Sequence, residues 1–163
     1  MTVVNDIQIA WDSTYQEGDF SFSIDDQDLE SDNTLKTAVI ISLFTDRRAK
    51  PDDILPDLNN SDKRGWWGDL ASPEVEGDQI GSRLWLLNRE KTEESVLVRA
   101  KQYVEESLKW LVDDEVAVKV VVETERQGVV GNDRLAIGVK IYRIDGIKEA
   151  YNFQSQWIEQ RAE

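Results

Sequence analysis

The 163-residue sequence contains no cysteine and no histidine. Without them there is no disulfide framework, no thiol nucleophile, no Cys/His zinc site and no Ser-His-Asp triad. Catalysis would fall to carboxylates, Lys, Tyr and hydroxyls. With 33 Asp plus Glu, however, paired carboxylates arise by chance and carry no weight alone. No enzyme, cofactor or metal is expected. Long apolar runs are missing as well. No stretch approaches the ~20 apolar residues of a membrane span, and the densest runs, 35–44 and 116–122, read as buried core elements. Residues 1–11 lack the basic start and apolar run of a targeting segment, so a soluble cytoplasmic product is expected.

Positive charge is absent from the first 35 residues. They hold Asp6, Asp12, Glu17, Asp19, Asp25, Asp26, Asp28, Glu30 and Asp32 and no Lys or Arg, within a chain of net charge −14. Such a segment repels nucleic acid and anionic lipid, so binding to DNA, RNA or membranes is disfavoured. It reads either as a solubilising acidic arm or as a contact for a basic partner.

What is present reads as an α+β fold. Ile7, Ile9 and Trp11 alternate on one strand and Phe20, Phe22 and Ile24 on the next, with 12–19 as the loop of a hairpin. Such an isolated pair is marginal in water, so it must dock on the domain or on a neighbour. Ser31, Asp32, Asn33 and Thr34 can cap a helix over 35–47. Leu35, Ala38, Val39 and Leu43 form one helical stripe, while Ile40, Ile41 and Phe44 put apolar groups on the other side. A helix apolar nearly all round is buried nearly all round, under this chain's own loops or against another chain. The two-sided pattern assigns Ile40 and Phe44 to a neighbouring chain.

Periodicity fades over 45–91, where Pro51, Pro56, Pro73, Gly65, Gly68, Gly77 and Gly81 fall. Trp66, Trp67 and Trp85 argue against disorder there, because large rings need a surface to pack on. A helix is expected over 92–112, with Val96, Ala100, Tyr103, Val104, Leu108 and Leu111 at helical spacing. The period then switches to two. Val116, Val118, Val120 and Val122 form one strand face and Leu135, Ile137, Val139 and Ile141 the next, with hairpin punctuation over 126–133. Tyr151, Phe153 and Trp157 suggest a third strand after the Asp145-Gly146 turn. The plan is a long helix on a three-stranded antiparallel sheet. The whole is a single domain over 1–163, with an acidic arm (1–33), an apolar helix and Trp-rich loop (34–91) and a helix-plus-sheet core (92–158).

Three blocks in order, Leu43-Phe44-Thr45-Asp46-Arg47-Arg48-Ala49, Arg64-Gly65-Trp66-Trp67-Gly68-Asp69 and Gly81-Ser82-Arg83-Leu84-Trp85-Leu86-Leu87 with Arg89, resemble the Mu-like phage baseplate protein family. That family is similar in turn to the wedge and sheath-initiator proteins of contractile tails. The resemblance spans about 6–158. It implies a non-catalytic baseplate subunit, assembled in the host cytoplasm and present in multiple copies in the virion tail. Its implied partners are the other baseplate, hub, tube and sheath proteins. One departure stands out: sheath initiators carry Glu-Pro-Arg where the long helix meets the first core strand, and here the junction reads Asp113-Asp114-Glu115-Val116.

The partner-interface candidates are Ile40, Phe44, Arg47, Arg48, Arg64, Trp66, Trp67 and Trp85. Trp66 and Trp67 can plug a partner pocket or cover this chain's own sheet. Arg47 and Arg48 can stabilise the C-terminal end of the preceding helix or pair with a neighbour. Arg83 and Arg89 can order the loop by bonding nearby acids. Two other readings stay open. One is an acidic DNA mimic, although the acids concentrate in the first 35 residues instead of along a face. The other is a lysozyme-like hydrolase, for which Glu93, Glu94, Glu105 and Glu106 are better explained by the helix dipole and a solvated helix face.

Overall fold

The computed structural model describes residues 6–12, 14–15, 17–23, 28–32, 34–57, 59–70, 77–88, 90, 93–129 and 132–156. Six short strands come first: β1 (Asp6–Ile7), β2 (Ile9–Asp12), β3 (Glu17–Phe20), β4 (Phe22–Ser23), β5 (Asp28–Leu29) and β6 (Ser31–Asp32). Helix α1 (Lys36–Phe44) leads into a long irregular segment with 3-10 turns at Trp67–Leu70 and Leu84–Leu87. Then come α2 (Glu94–Ser107), α3 (Trp110–Asp113) and the strands β7 (Ala117–Val129), β8 (Asn132–Arg143) and β9 (Lys148–Gln156). The fold is α+β, as the change of period along the chain predicts.

The sheet β7-β8-β9 is antiparallel with β8 at its centre. Leu135, Ile137, Val139 and Ile141 point to one face by the period of two, and all four are buried. Against that face lie Val96, Ala100, Tyr103 and Val104 of α2, at helical spacing. Full burial of each aliphatic side chain contributes roughly 1.5–3 kcal/mol before entropy is counted, so this layer is the main source of stability. The strands run closer to their turns than expected: Arg126 still pairs with Leu135 and Val129 with Asn132, so most of 126–133 is strand and not loop. Trp157 lies outside the described residues.

Two expectations for this half need correction. The register shifts between Ala117 and Lys119, and the extra residue, Val118, is thrown out to solvent. Ala117 takes the buried position at the start of the strand, with Val122 buried further along it. The long helix also stops early. After Ser107 the backbone bonds tighten to Lys109 N–H on the Glu106 carbonyl and Leu111 N–H on the Leu108 carbonyl, and α3 resumes two residues later. Leu108 and Leu111, three apart across this tight turn, both remain in the core.

The amino-terminal arm is more than a hairpin. β2 pairs with β3 in the expected antiparallel sense, but pairing continues to Asp12 opposite Glu17, so the turn is shorter than 12–19. The Asp12 carboxylate accepts the Thr14 and Tyr15 N–H groups at 2.6 and 3.2 Å, closing the turn and lowering its own pKa. β1 pairs with β6 and β4 with β5, so three ribbons meet at one junction. There Gln8 N–H donates to the Glu30 carbonyl, Ser21 N–H to the Gln8 carbonyl and Glu30 N–H to the Ser21 carbonyl, at 2.8, 3.1 and 2.8 Å. Ile24 lies outside the described residues.

The arm docks on α1, and this explains the helix's two apolar sides. Thr37 is buried; its hydroxyl accepts Ile9 N–H at 3.0 Å and donates to the Ile7 carbonyl at 3.1 Å. Ile9 and Trp11 of β2 pack onto the core. Trp11 stacks on Phe44 with centroids 3.7 Å apart, and Phe44 meets Phe153 of β9 edge-on at 5.4 Å. Ile40 is buried in the same core as Val39 and Leu43. The assignment of Ile40 and Phe44 to a neighbouring chain is therefore corrected: Ile40 lies in this chain's own core, and Phe44 is half-buried between Trp11 of the arm and Phe153 of the sheet. The helix is also capped differently. Thr34 accepts Lys36 N–H at 3.2 Å, but Leu35 N–H donates to the Glu149 carboxylate of β9 at 3.0 Å. Glu149 also pairs with Arg143 at 2.9 Å, which ties the helix start to the sheet.

Candidate partner-docking surface

The segment between α1 and α2 follows α1 back through a few close approaches. The Ser82 hydroxyl donates to the Leu43 carbonyl at 2.5 Å, Ser82 N–H to the Thr45 carbonyl at 2.9 Å, and Arg47 N–H to the Ser82 carbonyl at 2.9 Å. Gly81 makes this possible. Its φ is +94°, and a Cβ there would stand 2.3 Å from the Thr45 carbonyl oxygen. These bonds use the carbonyls at the end of α1 that Arg47 and Arg48 were expected to stabilise. Arg47 instead reaches Gln79 at 3.4 Å and Arg48 the Arg64 carbonyl at 3.3 Å.

Trp85 lies under this crossing. It is 5% exposed, its indole N–H donates to the Arg47 carbonyl at 2.8 Å, and the Arg64 guanidinium sits 4.6 Å above its ring. Arg64 also pairs with Asp46 at 2.7 Å. Deeper, Arg83 bonds both Asp53 at 2.8 Å and Glu106 at 2.6 Å, over the ring of Tyr103, and Lys50 adds a 2.9 Å bond to Glu106. Burial opposes the charge of Arg83, but the hydrogen bonds to Glu106 and Asp53 outweigh it and raise its pKa. Burial likewise works against the Glu106 carboxylate, and the bonds from Lys50 and Arg83 outweigh it, lowering that pKa. Arg83 thus orders the loop as its acidic surroundings suggest. Glu106, expected on a solvated face, is instead the anchor joining the loop to α2. Arg89 lies outside the described residues.

Trp66 and Trp67 behave differently from Trp85. Gly65 (φ +110°) lets the backbone pass Arg48 at a distance where a Cβ would stand 2.9 Å from the Arg48 Cβ. Trp66 folds back over Gly68, where a Cβ would overlap its ring at 2.0 Å. The 3-10 turn then has three residues per turn, which aligns positions i and i+3. Trp67 and Leu70 consequently project from one side, 75% and 82% exposed. Asp69 Oδ1 accepts Ile80 N–H at 3.2 Å and holds the ridge against the returning chain.

Beside this ridge is an open groove of about 860 Å³. Ala38 and Ile41 of α1, Trp66, Ile80 and Trp110 of α3 supply apolar lining, with Arg47 and Lys109 as cations and Asp69, Asp78, Glu106, Asp113 and Asp114 as anions. Trp110 N–H donates to the Ser42 hydroxyl at 3.1 Å, fixing one wall. Of the candidates read from sequence, Trp66 and Arg47 line this groove and Trp67 stands beside it in the ridge. Arg48 is exposed and Arg64 lies over Trp85. Ile40, Phe44 and Trp85 face inward. Leu70, Ile41 and Trp110 were missed as surface residues. For Leu70 the signal was its spacing of three from Trp67, legible only once a 3-10 turn is known. Among the described residues, no group of three or more Asp or Glu could hold a metal ion, and no helix is long and apolar enough to cross a membrane.

The arrangement is that of an α+β protein in which an exposed ridge at Trp67 and Leu70 stands beside an open groove. Residues 35–148 match the model of the family described as phage protein GP46, and the chain belongs to that family. It is 48% identical over 108 residues to the baseplate protein gp46 of Escherichia phage Mu, covering 66% of this chain and 68% of that one. It is 32% identical over 156 residues to the Mu-like prophage FluMu protein gp46 of Haemophilus influenzae, covering 94% and 98%.

Proposed function

We propose that this chain is a structural subunit of a contractile phage or prophage tail baseplate, that it joins wedge and hub components, and that it helps start sheath assembly. One observation carries the docking role: Trp67 and Leu70 project together into solvent beside a groove with apolar walls. A monomer gains little from exposing two such side chains, whereas Trp is prominent among interface hot spots. The name of the phage Mu relative supports the baseplate setting. The outer strands β7 and β9 offer sheet edges to which a partner strand can add. The whole chain serves as one unit, its arm stitched to α1 through Thr37. It is incorporated in multiple copies, assembling with hub, tube and sheath proteins in the host cytoplasm.

Complementation of a phage lacking this gene tests the reading. The Trp67→Ala/Leu70→Ala variant should give tail-less particles or bare tubes by electron microscopy, with the variant chain missing from the baseplate. Normal contractile tails from that variant would remove the ridge from the interface. Intact tails from the phage lacking the gene altogether would refute the baseplate role.

A further inference from the structure

We infer that the amino-terminal arm carries a second docking face, separate from the Trp67 ridge, for a Lys/Arg-rich apolar surface on a different protein of the same assembly. The inference takes from the proposed function only that the chain works inside a protein assembly.

Phe22 and Leu29 are direct cross-strand partners in the β4–β5 ribbon, so their side chains share one face, and they are 59% and 44% exposed. Phe20, one ribbon away, is exposed to the same degree as Phe22. The arm is held to the body by other residues, Ile9, Trp11 and the Thr37 bonds, so the outer pair is not needed to dock it.

Charge selects the occupant. Glu17, Asp19 and Glu30 flank these apolar positions and meet no Lys or Arg among the described residues, and residues 1–35 contain none at all. Nucleic acid is repelled by such a segment. A second copy of this chain, at net charge −14, is disfavoured for the same reason. Lys and Arg side chains satisfy both features at once, pairing with the carboxylates and lying over the exposed Phe faces. A groove with apolar walls and basic rims is the surface that fits.

The test places the photoreactive residue p-benzoylphenylalanine at Phe22 of the full-length chain and, as a control, at the exposed Val118 of β7. Assembled particles are irradiated and the cross-linked peptides sequenced by mass spectrometry. Phe22 should cross-link to a different protein, within a segment carrying more Lys and Arg than Asp and Glu, and Val118 should not reach that segment. Asp19→Lys/Glu30→Lys should leave the melting temperature unchanged and lower that cross-link by about tenfold or more. A cross-link to a second copy of this chain, to a segment without excess positive charge, or to nothing in particles that contain the chain would overturn the inference alone. An undiminished cross-link in the Lys variant would do the same. Absence of the wild-type chain from the particles would overturn it together with the proposed function.

Discussion

Trp85 and Trp67 occupy the same kind of structure, a single 3-10 turn in the segment between α1 and α2, and meet opposite fates. Trp85 is 5% exposed and Trp67 is 75% exposed. The difference lies in their company. Trp85 sits among Leu84, Leu86 and Leu87, so its turn is apolar on several sides, and its indole N–H finds the Arg47 carbonyl. Trp67 is followed by Gly68 and Asp69, which add no apolar surface, and the groups that join it, Leu70 and the tilted Trp66 ring 5.4 Å away, are themselves exposed. A large ring goes inward when its neighbours bury with it and its polar atom is paired. Otherwise it stays available to a partner.

Trp85→Ala should break the buried side of this comparison most severely. Removing a core ring with a satisfied N–H costs about 3–5 kcal/mol, which lowers the melting temperature of a chain this size on the order of 10 °C. Thermal circular dichroism measures it. A loss under about 1 kcal/mol would show that the crossing over α1 does not depend on the ring.

Arg83→Ala should come next, at about 3 kcal/mol, because it leaves Asp53, 11% exposed at its side chain, without its cation. Hydrogen exchange should accelerate over 50–57 and 82–88 while β8 remains protected. Arg83→Lys should restore only part of the loss, since one ammonium cannot reproduce the guanidinium's bonds to both Asp53 and Glu106. Equal exchange in all three proteins would mean that the ion pairs do not order the loop.

A smaller effect concerns pH. The folded-state pKa of Glu106 lies below the ordinary value of 4.5, so its contribution is complete above that pH and is lost as pH falls through the lowered value. Glu106→Gln should lose the full contribution at pH 7, and its difference from the parent should shrink as pH falls below about 4.5, which flattens the acid decline. The effect should be smaller than that of Arg83→Ala, because the Glu106 side chain is 31% exposed and water screens its pairs. An unchanged acid slope, measured by urea unfolding at several pH values, would place the titration elsewhere.

The sheet and α2 were legible because their signals are long. Leu135, Ile137, Val139 and Ile141 repeat the same alternation, and Val96 to Leu111 keep helical spacing. Val118 was misplaced because a bulge changes register without changing composition. Ile40 and Phe44 were assigned to a partner because a helix pattern reports that a face is buried, not by what, and the groups that meet Phe44, Trp11 and Phe153, are far from it along the chain on either side. The three-ribbon junction was unreadable for a similar reason: strands of two residues have no period. The Arg83 network needed positions 50, 53, 83 and 106 brought together, which no local pattern encodes.

The exposed side of the comparison is sharpened by the variant expected to do least to the isolated chain. Trp67→Ala/Leu70→Ala removes two large side chains that project from one side of their turn. Their loss leaves no cavity, and the bonds that hold the ridge, Asp69 to Ile80 and Asp69 N–H to the Trp66 carbonyl, use neither side chain. Stability should stay within about 0.5 kcal/mol of the parent, the usual range for surface positions. Urea and thermal unfolding of the purified chain measure this directly, alongside Trp85→Ala as the contrasting case. Because exposed apolar groups limit solubility, the double variant should also stay monomeric to higher concentration. A loss approaching that of Trp85→Ala would mean that Trp67 and Leu70 support the chain's own fold, and the distinction between an inward and an outward tryptophan in this loop would collapse.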